Sequence, residues 1–466
     1  MERAGILIVS KCLSGAAIMD AFSRSEKYSP EFYVVEKQEN PFLSRGAKEH
    51  RVSPDLDLKA IATLARKNSR RIDFGFTDTE DFVTAGGRDL LEREAGVQMV
   101  CVSKNYAIEE SKADQRLLFD RIFPEANPPY AVFDPRFYPS PNAALSDFRK
   151  TLSRIPSPVI KPDAPARGAG VGVWGSDFDT VEAAETFFLG LLSKGRVVLE
   201  EKVDGEESSF HAISDGKHFV PLPLTRDYKR SLKNDAGSLT GGMGSYRGPT
   251  PYLPFLSKSD WDDLVSREEQ AFRKWKGKGS NPGLRGVVLY DAIMHTGRGF
   301  KVLERNSRGG NTEFINLLTT LDGDFVDVCF RILDGSLRRV EFGREASVVT
   351  CAVPTSYGTK DSPPQSGQEI DLSAAEAQAG RSAGRLRIFP MDVRLERGRT
   401  LLGTSRAVAV VGLGDSVEEA RRVSVRGCRL LRGPLKWRGD VASSSDIARS
   451  RRHLGRLRRS HQSASA

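Results

Sequence analysis

The apolar positions of this chain fall first into short β-branched runs separated by stretches of helical spacing. Residues 5–9, 32–36, 72–77 and 97–102 are such runs, while 57–67 and 85–94 repeat Leu, Ile and Ala at intervals of three and four. That alternation predicts a parallel sheet covered by helices on both faces. Residues 104–123 read as one charged helix with Ser111-Lys112-Ala113 in its middle. A Pro-rich connector (124–141) and a helix (142–152) then lead to a strand at 158–161. A Gly/Ala-rich hairpin follows, then a helix at 180–193 and a strand at 196–200 that runs into an acidic segment ending at Glu206-Glu207.

Further strands are predicted at 210–213, 218–224, 286–294 and 299–303, and the last of these ends in Glu304-Arg305-Asn306. Beyond residue 339 the pattern changes. Strands are expected at 344–354, 385–394 (pairing with 400–403) and 406–413, with a polar excursion at 356–384. Ser416 and Glu419 have the spacing of a capping box for a helix reaching Leu430. The expected organisation is an N-terminal α/β domain (1–103), an α+β domain (104–338) with a mobile lid at about 124–195, a small β/α closing domain (339–440) and a disordered basic tail (441–466).

Length and composition narrow the classes. At 466 residues, with 39% hydrophobic and 28% charged side chains, the chain is an ordinary globular protein of about three domains. No apolar run is long enough to span a bilayer, and the N-terminus lacks a signal-peptide layout. The expectation is therefore a cytoplasmic protein with no membrane partner. Five cysteines (Cys12, Cys101, Cys329, Cys351, Cys428) are widely spaced and read as buried free thiols, and six scattered histidines form no zinc pattern. Of the net charge of +9, the tail carries +5 through six arginines and one aspartate, which is read as a solubilising end and not as a specific nucleic-acid site.

Against that mild background, four stretches carry candidate chemistry. The turn after the first strand, residues 10–15, is not GxGxxG, but it opens a helix whose N–H groups, with Lys11, suit a phosphate. Lys161 ends a strand ahead of the hairpin containing Arg167, a layout that can close over phosphates with the lysine as a fixed charge. Residues 225–247 pack Arg226, Asp227, Lys229 and Arg230 before Gly241-Gly242-Met243-Gly244; such a run is poorly suited to an apolar core and well suited to bringing backbone N–H groups to an anion. Glu304 and Asn306, two apart on a strand, share one face as hard oxygen ligands of the kind Mg²⁺ takes, although an exposed polar strand end reads the same way.

These pieces, in this order, resemble the phosphoribosylamine–glycine ligases (glycinamide ribonucleotide synthetases) of the ATP-grasp superfamily. The resemblance rests on Asp227-Tyr228-Lys229-Arg230 with residues 240–246, on residues 199–208, and on residues 409–420 and 435–440. It implies a Rossmann-like N-terminal domain, an ATP-grasp domain with a lid and a closing domain. The activity implied is ligation of glycine to 5-phosphoribosylamine through an acyl phosphate, in purine biosynthesis, with ATP and Mg²⁺ or Mn²⁺. By the same resemblance Lys112, Lys161 and Arg167 hold phosphates; Glu200, Glu201 and Val203 meet adenine; and Glu207 takes the ribose hydroxyls. Glu304 and Asn306 hold the metal. Asp227, Lys229 and Arg308 serve the chemistry, and Lys11 with Gly241, Gly242, Met243 and Gly244 lines the substrates. A monomer or weak oligomer that handles only small molecules is expected.

The chain departs from the family pattern at Ala169, where a lysine is usual, at residues 310–314 and at residues 11–16. A diverged carboxylate–amine ligase with another acceptor pair, and an inactive nucleotide-binding scaffold, therefore remain as alternatives.

Overall fold

In the computed structural model, residues 1–466 are described except 12, 156, 165–169, 360–362 and 466. Four parallel strands build the N-terminal unit in the order Ala47–Val52, Tyr28–Glu36, Glu2–Ser10, Phe74–Thr77. The apolar run at 97–102 joins them through a single parallel bridge between Gly75 and Met99. The strand Ala47–Val52 is absent from the sequence reading because its residues, AKEHRV, are mostly polar and lie at a half-exposed edge.

A nine-stranded sheet forms the body. Its principal path runs Gly299–Asn306, Arg285–Thr296, Glu206–Asp215, Phe219–Asp227, Gly244–Arg247, Ala346–Pro354, Val408–Gly414, Leu386–Pro390, and all its pairings are antiparallel. The strands on either side of residue 338 thus belong to one hydrogen-bonded sheet. The run expected as one strand at 385–394 is two, Leu386–Pro390 and Val393–Glu396. The first pairs with Val408–Gly414 and the second with Arg399–Leu402. Acidic residues at 206 and 207 lie inside a strand, since ion pairs on each face replace the apolar contacts that the sequence pattern counts.

A smaller antiparallel sheet, Tyr130–Phe133, Val197–Glu201, Pro158–Pro162 and Gly172–Val173, is covered by the helices Pro141–Leu152 and Val181–Leu192. It has its own core, centred on Phe133, Phe148, Phe188 and Leu199. Phe148 and Phe188 stack there with centroids 4.3 Å apart.

Two helices correct the sequence reading. The charged helix at 104–123 is shorter, Lys112–Ile122, because Ser111 caps it by accepting from the Asp114 N–H (3.0 Å). The tail expected to be disordered is the helix Ser444–Ser465. Few of its residues are apolar, but Leu454 is buried and Arg458 pairs with Asp260 at 2.7 Å. Composition alone cannot register such docking. Among the described residues, no helix is long and apolar enough to cross a membrane. The four described cysteines are buried free thiols, and Cys12 lies outside the described residues.

Candidate active site

A charged cluster forms where the small sheet meets the body, with Lys161 Nζ 3.5 Å from the Leu303 carbonyl, and most of the sequence-predicted residues lie in or beside it. Glu304 and Asn306 project from the end of Gly299–Asn306, and the alternation of a strand sends Arg305 to the opposite face. Arg305 is fully buried there, with Nη2 2.6 Å from both Asp291 and Glu268 carboxylate oxygens.

With its nitrogen on the Tyr290 carbonyl (3.3 Å), the Asn306 amide turns its oxygen toward Glu109 Oε1 and Glu304 Oε1 at 2.9 and 3.2 Å. Turned over, the amide nitrogen donates to both carboxylates. The second setting satisfies all three groups as they stand; in the first, the Asn306 oxygen joins the two carboxylates in a hard-oxygen set of the kind that suits Mg²⁺ or Mn²⁺. Among the described residues no group of three or more His, Cys, Asp and Glu has metal-site geometry, which leaves water and phosphate oxygens to complete any such shell.

The residues expected to meet the nucleotide form a buried charge network. Glu200 accepts from Arg116 Nε at 2.8 Å and from Lys161 Nζ at 2.6 Å. Burial works against the Glu200 charge, but the two cations outweigh it and hold the carboxyl below its usual range. Burial likewise pulls the Lys161 ammonium down. The Glu200 side chain, expected at adenine, is thus committed to Lys161 and Arg116. Lys112 begins its helix and donates to the Ala164 carbonyl (3.2 Å), so both lysines bear on the segment entering the hairpin. Arg167, within that hairpin, lies outside the described residues. At the hinge the Glu201 N–H donates to Pro129, whereas the backbone of Val203 has no partner among the described residues.

Among the residues expected to serve the acceptors, Lys229 is ion-paired with Glu207, which was expected at the ribose. Burial opposes the Lys229 charge, but Glu207 and Asp227 raise its pKa above the ordinary lysine value. Burial, reinforced by Glu313, pushes the Asp227 carboxyl well up. Gly242 (φ +104) lies so close that a Cβ there would sit 2.6 Å from Asp227 Oδ1. The Gly241 carbonyl accepts from Arg406. Met243 departs from expectation: its side chain is in the apolar core, and its N–H and C=O bond Tyr228 and Cys351. Gly244 is a strand residue, where a Cβ would meet the Val349 carbonyl at 2.3 Å.

Lys11 and Arg308 meet on one carboxylate, Glu80, at 3.1 and 3.2 Å. Lys11 also pairs with Asp81, and Arg308 with Glu109 at 2.8 Å. The donors expected to hold a phosphate here are already engaged. Asp78 accepts from the Lys11 N–H (3.0 Å), the Ser14 N–H (2.9 Å), Ser10 Oγ (3.1 Å) and Ser14 Oγ (3.2 Å). Sequence reasoning missed Asp78, Glu80, Glu109, Arg116 and His211. The cluster Asp78, Glu80, Asp81 opposite an expected phosphate turn was the available signal. His211, pushed down to about 4 by burial, accepts from the Gly310 N–H (3.0 Å) and fixes the turn after Arg308.

Burial raises the Glu80 pKa, but Arg308 and Lys11 outweigh it and bring the carboxyl to about 2 from 4.5. A depressed acid stabilises the fold above its unfolded pKa, and that stability is lost as pH falls toward 2. Glu80→Gln should therefore lower the unfolding free energy by about 3 kcal/mol at neutral pH, and by progressively less as the pH is taken below 4.5. Urea unfolding at neutral and acid pH checks this; an equal loss at both would assign the effect to packing.

Comparison with known proteins agrees with this geometry. Residues 130–314 match the family model described as phosphoribosylglycinamide synthetase, ATP-grasp (A) domain. The chain is 33% identical to the phosphoribosylamine–glycine ligase of Pyrococcus furiosus, over 93% of both chains. It is 31% identical to that of Methanocella arvoryzae, over 97% of this chain and 99% of the relative. The crystal structure of the Thermotoga maritima phosphoribosylamine–glycine ligase superposes with a TM-score of 0.72 at 25% identity, covering 94% of this chain and 100% of that one. The shared fold and likeness along nearly the full length agree: the chain belongs to the phosphoribosylamine–glycine ligase family.

Proposed function

We propose that this chain joins glycine to 5-phosphoribosylamine at the expense of ATP, a step of purine biosynthesis, giving glycinamide ribonucleotide, ADP and phosphate. The observation that most supports the reading is one charged cluster holding Glu304 with Asn306 3.2 Å away, the cations Lys161 and Lys229, and the buried acid Asp227.

A glycine carboxylate oxygen attacks the γ-phosphorus as ADP leaves. The amine nitrogen then attacks the acyl carbon, phosphate departs and the nitrogen loses a proton. Both steps put charge on phosphoryl oxygens and need no side-chain nucleophile, so the protein's part is alignment and charge neutralisation. Lys161 and Lys112 flank the hairpin entrance and meet the ATP phosphates. Val203 presents its free backbone groups to the base. Lys229 keeps its charge beside Glu207 and Asp227 and offers it to the phosphoryl oxygens, while Asp227, its carboxyl pushed up by burial and Glu313, orients the lysine. A divalent ion held by Glu304 and Asn306 supplies further positive charge to the phosphoryl oxygens.

A second reading, a carboxylate–amine ligase with another amine, draws on one observation: Asp78 and Glu80 already engage the donors of the N-terminal turn. Phosphate release from ATP distinguishes the two. Dependence on both glycine and phosphoribosylamine is expected; release with other amines in the absence of phosphoribosylamine would support the second reading.

A further inference from the structure

The helix Ser444–Ser465 touches residues that are chain neighbours of the cluster residues. Asp446 Oδ2 accepts from Tyr228 Oη at 2.6 Å, and Tyr228 lies between Asp227 and Lys229. Ser450 Oγ accepts from Arg226 Nη1 at 2.6 Å, and the same nitrogen donates to Glu206 at 2.8 Å. His453 lies 2.7 Å from the other Glu206 oxygen and 3.3 Å from Asp204, which follows the hinge residue Val203. The Tyr228 ring is held between the Arg226 and Arg438 guanidinium groups at 5.8 and 5.1 Å. Glu206, Arg226, Tyr228, Asp446 and Ser450 are all buried.

Successive strand side chains point to opposite faces, so Glu206 and Arg226 reach the helix from the back of the sheet while Glu207 and Asp227 face the cluster. Gly205 interrupts the hinge, and Gly241 and Gly242 form the loop beside Asp227.

We propose that Ser444–Ser465 is a clamp, in which His453 positions the nucleotide hinge through Glu206 and Asp204, and Asp446 positions Asp227 and Lys229 through Tyr228. The inference rests on the roles given above to Val203, Glu207, Asp227 and Lys229, and it makes Asp446, Ser450 and His453 positioning residues. A clamp with two points of action predicts a split in the kinetics. Releasing the hinge weakens ATP binding, whereas releasing Tyr228 slows turnover of bound substrate.

The test uses the full-length chain. His453→Ala should raise the Kd for ATP, read by calorimetry without acceptors, about five- to tenfold, with kcat little changed. Asp446→Ala and Tyr228→Phe should each lower kcat at saturating ATP about tenfold, and the double variant should fall little below Tyr228→Phe, because both remove the Tyr228–Asp446 bond and only the second also frees the Ala442 N–H. Arg452→Ser and Arg456→Ser, on the exposed face of the same helix and without partners among the described residues, serve as controls with unchanged constants. Removing residues 444–466 should combine both effects; if that shortened chain does not fold, the point variants decide.

An unchanged ATP Kd in His453→Ala together with an unchanged kcat in Asp446→Ala would overturn the clamp. So would a fall in kcat at constant KM in both that matches the loss of folded protein, since that is the mark of scaffolding alone. Because the Kd needs no acceptor, a wild-type chain inactive on glycine and phosphoribosylamine would defeat the proposed function while leaving the hinge half of the clamp tested.

Discussion

Arg305→Met should lower the free energy of unfolding by about 3–5 kcal/mol, the usual cost of removing one member of a buried ion group. Arg305, Asp291 and Glu268 are each 0% exposed. Arg305 Nε donates to Asp291 Oδ1 at 2.9 Å, and its guanidinium lies over the rings of Phe119 (4.8 Å) and Trp275 (5.6 Å). Even with the arginine present, burial pushes the Glu268 carboxyl up to about 8. Without it, two carboxylates share a dry pocket, and both take up protons or draw in water. The triple variant Arg305→Met, Asp291→Asn, Glu268→Gln should regain much of the loss, because no uncompensated charge remains. Urea unfolding of the two variants provides the check. A single-variant loss below about 1 kcal/mol would show that the pocket is not sealed.

The second large effect is chemical. Glu304→Gln should reduce turnover on the order of a hundredfold to a thousandfold, the range for removing one preorganised charge from a phosphoryl- or acyl-transfer site. The Glu304 carboxylate lies 3.2 Å from the Asn306 amide, and a glutamine amide is a poor replacement for a hard anionic ligand. The fold should survive, since Glu304 is only partly buried and takes no part in the Arg305 group behind it. Two readouts are needed: steady-state turnover, and Mn²⁺ binding followed by electron paramagnetic resonance in the presence of ADP. Loss of turnover with Mn²⁺ binding intact would move the role of Glu304 from metal ligand to substrate contact. Unchanged turnover would remove it from the site.

What was legible in the sequence follows the physics of each signal. The strands at 5–9, 32–36 and 72–77 were readable because burial on both faces of a parallel sheet leaves apolar runs such as Ile6–Val9, all fully buried, whereas the run at 97–102 adds only one bridge. Glu304 and Asn306 were readable as a ligand pair because a two-residue spacing on a strand fixes a common face. The pairings of Lys161 with Glu200, Lys229 with Glu207 and Lys11 with Glu80 were not, since each joins residues far apart in the chain. Sequence spacing carries no information on such partners. Met243 misled because glycine neighbours suggest a loop. Only Gly242 before it is loop; Gly244 after it opens a strand packed so closely that a Cβ would meet the Val349 carbonyl.

The nine-stranded sheet has a consequence for where this protein could be divided. Gly244–Arg247 and Ala346–Pro354 are adjacent in it, registered from Gly244 opposite Thr350 to Arg247 opposite Ser347. A break in the chain near residue 338 would separate no independent unit. It would give two fragments, each ending in a bare strand edge whose pattern of N–H and C=O groups matches the other. The change in composition at that point is thus a boundary in how the sequence is written, whereas the hydrogen bonding runs straight across it. The small sheet around Phe133 and Phe188, with a core of its own, is the part of the molecule that could move without cutting a ladder.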